Sequence, residues 1–313
     1  MATDSLTVAS IHSGQDTGGQ SWRLKQAFDR HAPGWSFRSM AQRMTYIDYP
    51  QDLPWRKRGA EQLANESDVI HWHNGYGTAR ALKMTHKPSV VHYHGTMFRS
   101  DPNRYVREQR SLGGFGLVST LDLWLLAPDD VDWLPAPYDI DWLAGMRQKR
   151  DDGKVIIAHA PTNREVKSTA QFLEAIDQLK AEGYPVELEL IERASWAQCL
   201  ARKSRADIFF DQTLLGYGCN ALEAWGMGIP VVAGASDETL DEMERRFGHL
   251  PFYHATEETI YDALKELVES PELREQFGQI GHDYGRDYHS EQVVVEQLKD
   301  LYQRAIGSEA KAA

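Results

Sequence analysis

Two apolar runs, Ala206 to Phe210 and Pro230 to Gly234, enclose a glycine turn and one short helix-compatible segment in ADIFFDQTLLGYGCNALEAWGMGIPVVAG. Short apolar runs bounded by glycine and proline read as buried strands of a parallel sheet. A turn through Gly216 and Gly218 and a helix opening near Asn220 then bring unpaired backbone N–H groups and the positive end of a helix dipole to the carboxyl end of a strand. An anionic ligand such as a phosphate fits that place. Glu223, one turn into the helix, is suited to accept hydrogen bonds from neutral hydroxyls such as those of a ribose.

The same residues satisfy a second pattern. GYGCNA matches GxGxxA, and Asp237 and Glu238 stand about 20 residues further on, as a dinucleotide fingerprint asks. Against that reading, Asp211 to Leu215 separate the apolar run from the first glycine, and Gly226 and Gly228 end the helix after about two turns. The fingerprint also belongs to the first strand of a domain, whereas several strand signals precede this one. An NAD-dependent oxidoreductase is therefore the second reading.

Strand-like runs recur at Leu6–Ile11, Asp68–His73, Ser89–His94 and Gly116–Thr120, and again at Lys154–Ala160, Val186–Ile191, Ala206–Phe210 and Pro230–Gly234. Helix-compatible segments such as Gln20–His31 and Thr78–Lys87 lie between them. Alternation of this kind implies an α/β fold with parallel sheets covered on both faces. At 313 residues the chain suits two such domains with a ligand cleft between them. The expected boundaries are 1–145 and 146–287, joined through a linker that carries Pro128, Pro135 and Pro137. A last helix, 288–307, carries Val294, Leu298, Leu301 and Ala305 at helical spacing and is expected to pack back on the first domain. The tail from Gly307 is expected to fray.

The net charge of −12 argues against general nucleic-acid binding by bulk electrostatics, although a local basic patch such as Arg56, Lys57 and Arg58 is compatible with it. No apolar run approaches the roughly 18 residues that a membrane span needs, so no membrane partner is expected. Two cysteines give neither a disulfide framework nor zinc spacing and point to a reducing, cytoplasmic setting.

Three further segments carry candidate chemistry. The first strand runs into HSGQDTGGQSW, where Gly14, Gly18 and Gly19 precede a helix and permit close approach of a phosphate or sugar. HWHN at 71–74 and HYHGT at 92–96 end two strands, and the side-chain period of two points His71 with His73 and His92 with His94. His73 and His94 are the members nearer the sheet end, whereas His71 and His92 fit hydrogen-bonded core histidines. No carboxylate stands at metalloprotease spacing, so polar contacts to a ligand are expected there and a metal is not. VIIAHA leads into PTNREVKST, which sets His159, Arg164 and Lys167 around a strand end and a helix start. Cations are disfavoured at a helix N-terminus, so their presence there suits an anionic ligand such as a diphosphate.

Taken together, these segments resemble the retaining glycosyltransferases of GT-B fold, in particular the bacterial group 1 family that uses nucleotide-diphosphate sugars. HAPTNREVKST is similar to that family's strand–loop–lysine segment, ADIFFDQTLLGYGCNALEAWGMGIPVV to its nucleotide-binding signature, DVDWLPAPYDIDWL to its interdomain segment, and HYHGT to its active-site histidine segment. The resemblance implies two Rossmann-like domains facing each other across a cleft. It implies that Arg164 and Lys167 hold the diphosphate, Glu223 the ribose, and the backbone of Gly218, Cys219 and Asn220 the distal phosphate and sugar, with His159, Gly18 and Gly19 completing the donor side. His94 would lie beside the transferred sugar, with His73 and Asn74 on the acceptor side. The reaction implied is sugar transfer with retention, without metal or cofactor, from a nucleotide-sugar donor to an acceptor of open class, a modified base included. One departure stands out, since the family's first glutamate falls on Leu215. That substitution motivates a third reading, a non-catalytic relative that binds sugar nucleotides.

Overall fold

The computed structural model describes residues 5–16, 18–42, 46–111, 113–128 and 130–309. The chain divides into two compact units, Met1–Pro137 together with Glu291–Ala313, and Tyr138–Ser290.

The first unit contains β1 (Thr7–Gln15), α1 (Gln20–His31), β2 (Ser36–Gln42), β3 (Leu53–Pro54), α2 (Lys57–Glu66), β4 (Val69–His73), α3 (Tyr76–Ala81), β5 (Ser89–Tyr93), α4 (Gly95–Ser100), α5 (Pro102–Arg110), β6 (Phe115–Val118), α6 (Leu121–Leu126) and β7 (Val131–Trp133). Its seven strands run in the order β3-β2-β1-β4-β5-β6-β7, and every pairing is parallel. The period of two sorts the strand residues onto two faces. Ala9, Ile70, Val91 and Val118 face Ala60, Ala79, Val106 and Leu123 of the helices on one side. Val8, Val69 and Val90 face Leu24 and Phe28 of α1 on the other.

The four strand segments expected in this unit are all present, whereas β2, β3 and β7 were not legible. β2 reads SFRSMAQ, in which polar residues interrupt the apolar signal although the strand lies inside the sheet. The helix expected over Thr78–Lys87 stops at Ala81. Lys83 takes a left-handed conformation with φ of 56°, and the Met84 amide bonds back to the Ala79 carbonyl, a helix-ending turn made without glycine.

The second unit contains α7 (Ile140–Gly145), β8 (Val155–His159), α8 (Thr169–Ala181), β9 (Val186–Leu190), α9 (Trp196–Lys203), β10 (Ile208–Phe210), α10 (Cys219–Gly226), β11 (Val231–Ala233), α11 (Asp237–Phe247), β12 (Tyr253–His254), α12 (Ile260–Glu269) and α13 (Pro271–His289). Its five parallel strands run β12-β11-β10-β8-β9. Phe172, Ile176 and Leu179 of α8 and Leu264 and Leu267 of α12 bury one face against Ile157, Ile208 and Phe210. The segment read as a linker is structured: Val131–Trp133 pairs with β6, and Ile140–Gly145 is a helix whose start is capped by the Asp139 carboxylate, which accepts from the Trp142 amide at 3.0 Å.

The chain then returns to the first unit as α14 (Glu291–Glu309). Val294, Val295, Leu298, Leu301, Tyr302 and Ala305 are buried in the same core as Leu24 and Phe28. Each large apolar side chain there contributes roughly 1.5–3 kcal/mol of burial, which fixes this helix to the sheet. The helix continues past Gly307, where fraying was expected; the last four residues lie outside the described ones.

Candidate functional site

In each sheet, connections leave in opposite directions at one point of the strand order, between β1 and β4 in the first unit and between β8 and β10 in the second. Such a point leaves a crevice at the carboxyl ends of the strands, the usual ligand position of open α/β sheets. The sequence-derived candidates gather at these two places.

In the second unit β8 ends at His159 and β10 at Phe210. Asp211 follows at once and is buried. One of its oxygens accepts from Lys167 Nζ at 2.6 Å, and the other accepts from the Gly218 amide at 2.7 Å. Gly218 is the residue that opens α10, so ammonium, carboxylate and helix N-terminus meet within one residue's span. A Cβ at position 218 would sit 3.5 Å from Lys167 Nζ and 3.5 Å from the Asp211 oxygen, so the backbone here runs within van der Waals contact of the ammonium and the carboxylate. The loop that delivers Lys167 is tied to the loop after β10, because Ser168 Oγ lies 2.7 Å from Thr213 Oγ1 and donates to Glu257 at 2.9 Å.

Beneath this opening lies a second polar layer. Glu223 Oε2 accepts from Lys203 Nζ at 2.7 Å and Oε1 from Trp196 Nε1 at 2.8 Å. Lys203 also donates to the side chain of Asn220 at 2.8 Å, and Asn220 Nδ2 donates to the Ala160 carbonyl at 3.0 Å. Burial is the largest influence on Lys203 and opposes its charge, but Glu223, Cys199 and Asp211 together outweigh it and leave the lysine pKa raised. Trp196, Cys199 and Lys203 project from one face of α9, three and four residues apart, toward Asn220 and Glu223 of α10. Cys219, the first residue of α10, has its carbonyl 3.4 Å from the Tyr138 hydroxyl that donates to it, and its thiol is unoxidised.

Two candidates are already engaged with groups of the chain. His159 is buried, with Nδ1 2.9 Å from the Phe210 carbonyl and Nε2 2.8 Å from Thr169 Oγ1. A carbonyl only accepts, so Nδ1 carries the proton and Nε2 accepts from the threonine. Both nitrogens are thus used in joining β8, β10 and α8, and burial lowers the pKa of the ring to about 4. Arg164 is exposed and makes a two-pronged ion pair with Glu192, both contacts at 2.7 Å. That hydrogen-bonded pairing raises the arginine pKa. Of the two expected cations, Lys167 is the one at the glycine turn.

In the first unit, His73 and His94 are joined through Nδ1 and Nε2 at 2.8 Å, and His73 Nε2 lies 2.9 Å from Ser10 Oγ, which in turn lies 2.9 Å from Ser21 Oγ of α1. A parallel chain joins Tyr302 OH to His71 Nδ1 at 2.6 Å and His71 Nε2 to His92 Nδ1 at 3.2 Å. Each chain ends on a buried ring nitrogen with no hydrogen-bond partner, His94 Nδ1 in one and His92 Nε2 in the other. Burial first, and repulsion among the rings second, lowers the pKa of His73, His92 and His94, and burial alone lowers His71 to about 3. All four are therefore neutral. Asn74, at a left-handed φ of 49°, accepts from the His94 amide at 2.9 Å and so locks the end of β4 to the end of β5. One nitrogen each of His71, His73 and His92 falls within 4.8 Å of the others. A tetrahedral zinc site holds its nitrogens about 3.3 Å apart, and His71 and His73 each use both nitrogens in the two chains.

The Gly18–Gly19 loop reaches the N-terminus of α1, where the Asp16 carboxylate already accepts from the Gln20 amide at 2.7 Å and the Ser21 amide at 2.9 Å. Burial raises the pKa of Asp16 against the pull of His12 and of these amides. Gly19 has φ of 64°, and the Tyr49 ring lies 2.8 Å from where a Cβ would stand. Glycine here serves a tight, covered turn, and the amides that a phosphate would use are bonded to a carboxylate of the chain itself.

Lys203, Trp196, Ser10 and Tyr302 were not singled out from the sequence. A signal for Lys203 was present, because a glutamate inside the apolar segment ALEAWG demands a buried cation. GYGCNA follows the third strand of its unit rather than the first, and its helix has eight residues, which counts against the dinucleotide reading.

No family model matches the sequence, and no curated protein matches it either. Solved structures do match over nearly the whole chain. An alpha-glucosyltransferase in complex with UDP and a 13-mer DNA containing a central A:G mismatch aligns with a TM-score of 0.68 at 13% identity, covering 96% of this chain and 100% of that one. Anabaena HepE in complex with UDP-glucose aligns with a TM-score of 0.64 at 12% identity, covering 98% and 100%. A protein from Listeria monocytogenes described as a UDP-N-acetylglucosamine 2-epimerase aligns with a TM-score of 0.60 at 13% identity, covering 98% and 97%. Among the described residues no helix is long and apolar enough to cross a membrane. At these identities the likeness is one of fold, and with its two parallel-sheet units the chain has the GT-B fold of glycosyltransferases that bind UDP and UDP-sugars.

Proposed function

We propose that the protein is a glycosyltransferase that moves a sugar from a nucleoside-diphosphate donor to an acceptor, with retention of configuration and without a metal. The observation that carries this reading is the meeting of Lys167 Nζ and the Gly218 amide, where α10 opens, on the one carboxylate of Asp211. A nucleoside diphosphate placed there meets a mobile point charge and the positive end of a helix, the two groups that stabilise charge growing on a departing diphosphate. The UDP and UDP-glucose named with the solved relatives are consistent with such a donor.

In this reading the backbone of Gly218 to Asn220 meets the distal phosphate, and the ribose role expected of Glu223 requires its release from the buried bonds to Lys203 and Trp196. His94 meets the sugar through Nδ1, while His73 and Asn74 act through it, since both are bonded to His94. In this reading the acceptor attacks on the face that the diphosphate leaves, which gives retention without a covalent intermediate.

A second reading has one observation in its favour. Leu215 replaces the glutamate that the family resemblance calls for, and a relative of the same fold is described as an epimerase rather than a transferase. The test is to measure UDP binding by calorimetry and to follow UDP-glucose, UDP-N-acetylglucosamine and GDP-sugars by mass spectrometry with glycan, protein and DNA acceptors. Transfer of the donor's sugar supports the proposal. Inversion of a sugar hydroxyl without transfer, or tight donor binding with neither reaction, would replace it with an epimerase or a non-catalytic binder.

A further inference from the structure

The groups that would receive the donor's diphosphate are already engaged with an anion that belongs to the chain. Asp211 is buried and bridges Lys167 Nζ and the Gly218 amide at 2.6 and 2.7 Å. Lys167 is only partly covered, with 15% of its side chain exposed, so it keeps a face toward solvent while its ammonium is held. The carboxylate also stands at the positive end of α10, where a negative charge is stabilised. One side chain thus gives the cation, the amide and the helix end a common negative partner.

We propose that Asp211 is a built-in counter-anion of the diphosphate site, which fixes Lys167 and Gly218 in place and weakens the hold on the nucleoside diphosphate so that the product leaves. This role rests on the donor reading above. It is a positioning role, because the carboxylate acts through Lys167 and the Gly218 amide. The charge arithmetic gives it a direction. A diphosphate arriving beside Lys167 meets an ammonium whose charge is matched by Asp211, and two anions a few ångströms apart repel each other. Asp211→Asn removes that charge while its amide oxygen remains able to accept from the Gly218 N–H, so the loop keeps its bond and Lys167 turns to the ligand.

The experiment uses the full chain and three probes: inorganic pyrophosphate for the anion seat alone, UDP, and uridine. Expected are pyrophosphate and UDP binding tighter in Asp211→Asn than in the wild type by on the order of ten-fold, uridine unchanged, and a lower kcat with a lower KM wherever transfer is observed. Equal or weaker pyrophosphate binding in the variant overturns the inference, as does a wild type and variant that both fail to bind it. If pyrophosphate binds and responds to the substitution while UDP does not bind, the counter-anion stands and the uridine-nucleotide donor fails. Should Asp211→Asn not fold, Lys167→Met is compared with Lys167→Met/Asp211→Asn. The double variant is expected to bind pyrophosphate more tightly than the single one, and equality overturns the inference.

Discussion

Lys203 Nζ and Glu223 Oε2 lie 2.7 Å apart with 0% and 2% of their side chains exposed, which makes them a charge pair sealed between α9 and α10. A buried pair of this kind adds little over a well-packed apolar pair, yet removing one partner strands the other. Lys203→Met is therefore expected to destabilise the protein by about 3–5 kcal/mol, and Lys203→Met/Glu223→Leu to regain much of that loss. Urea unfolding of the three proteins checks it. A single variant within 1 kcal/mol of the wild type would show that water reaches Glu223.

The two cations of the HAPTNREVKST segment are expected to behave differently. Lys167→Ala, at the glycine turn, should lower sugar transfer by on the order of 100-fold. Arg164→Ala removes only a solvent-screened pair with Glu192 and should change transfer less than about three-fold. Steady-state rates with the donor found by screening decide it. Equal losses in both variants would mean that Arg164 leaves Glu192 when donor arrives.

Acid should destabilise the fold in a defined window. His71, His73, His92, His94 and His159 all have folded pKa values below the unfolded value of about 6.5. The folded state then binds fewer protons than the unfolded one, so the stability from these rings is complete above about pH 6.5 and declines as pH falls below it. The decline runs to about pH 3 for His71 and about pH 4 for His159. Each ring contributes up to about 1.4 kcal/mol per pH unit in that range. Urea midpoints at pH 8.5, 7.5 and 5.5 should be similar for the first two and clearly lower for the third. A flat profile would mean that the rings take up protons in the folded protein as readily as in the unfolded one.

The chain of Ser10, His73 and His94 sets which nitrogen of His94 carries its proton. His94→Ala is expected to lower transfer by about 100-fold. Ser10→Ala should leave the fold intact and change the tautomer of His94, read from ¹⁵N shifts of the imidazoles, with a smaller loss of rate. Unchanged shifts in Ser10→Ala would separate Ser10 from the chemistry.

The features readable from sequence were those whose cause is local. Val155–His159 and Val231–Ala233 announce themselves as apolar runs, and α10 ends where Gly226 and Gly228 stand. β2 was not legible because its place inside the sheet comes from neighbours, not from SFRSMAQ itself. At the site, Lys167 was found because a cation before a helix is locally anomalous. His159 stands at the strand end expected of it, and only the engagement of both its nitrogens was not legible, because Phe210 and Thr169 are brought to it by the fold. For the same reason nothing near Gly18 in the sequence showed that Asp16 would turn back onto the amides of α1.

Tyr302 and His71 are 231 residues apart in the chain, yet one hydrogen bond joins them. During synthesis the strands of the first unit leave the ribosome early, but the helix that closes one face of their sheet is made last. At roughly 5–20 residues per second, the histidine array waits many seconds for its final partner. The second unit is contiguous and is completed before that moment. A chain interrupted between Ser290 and α14 would thus carry a finished second unit beside a first unit whose sheet is still open on one face.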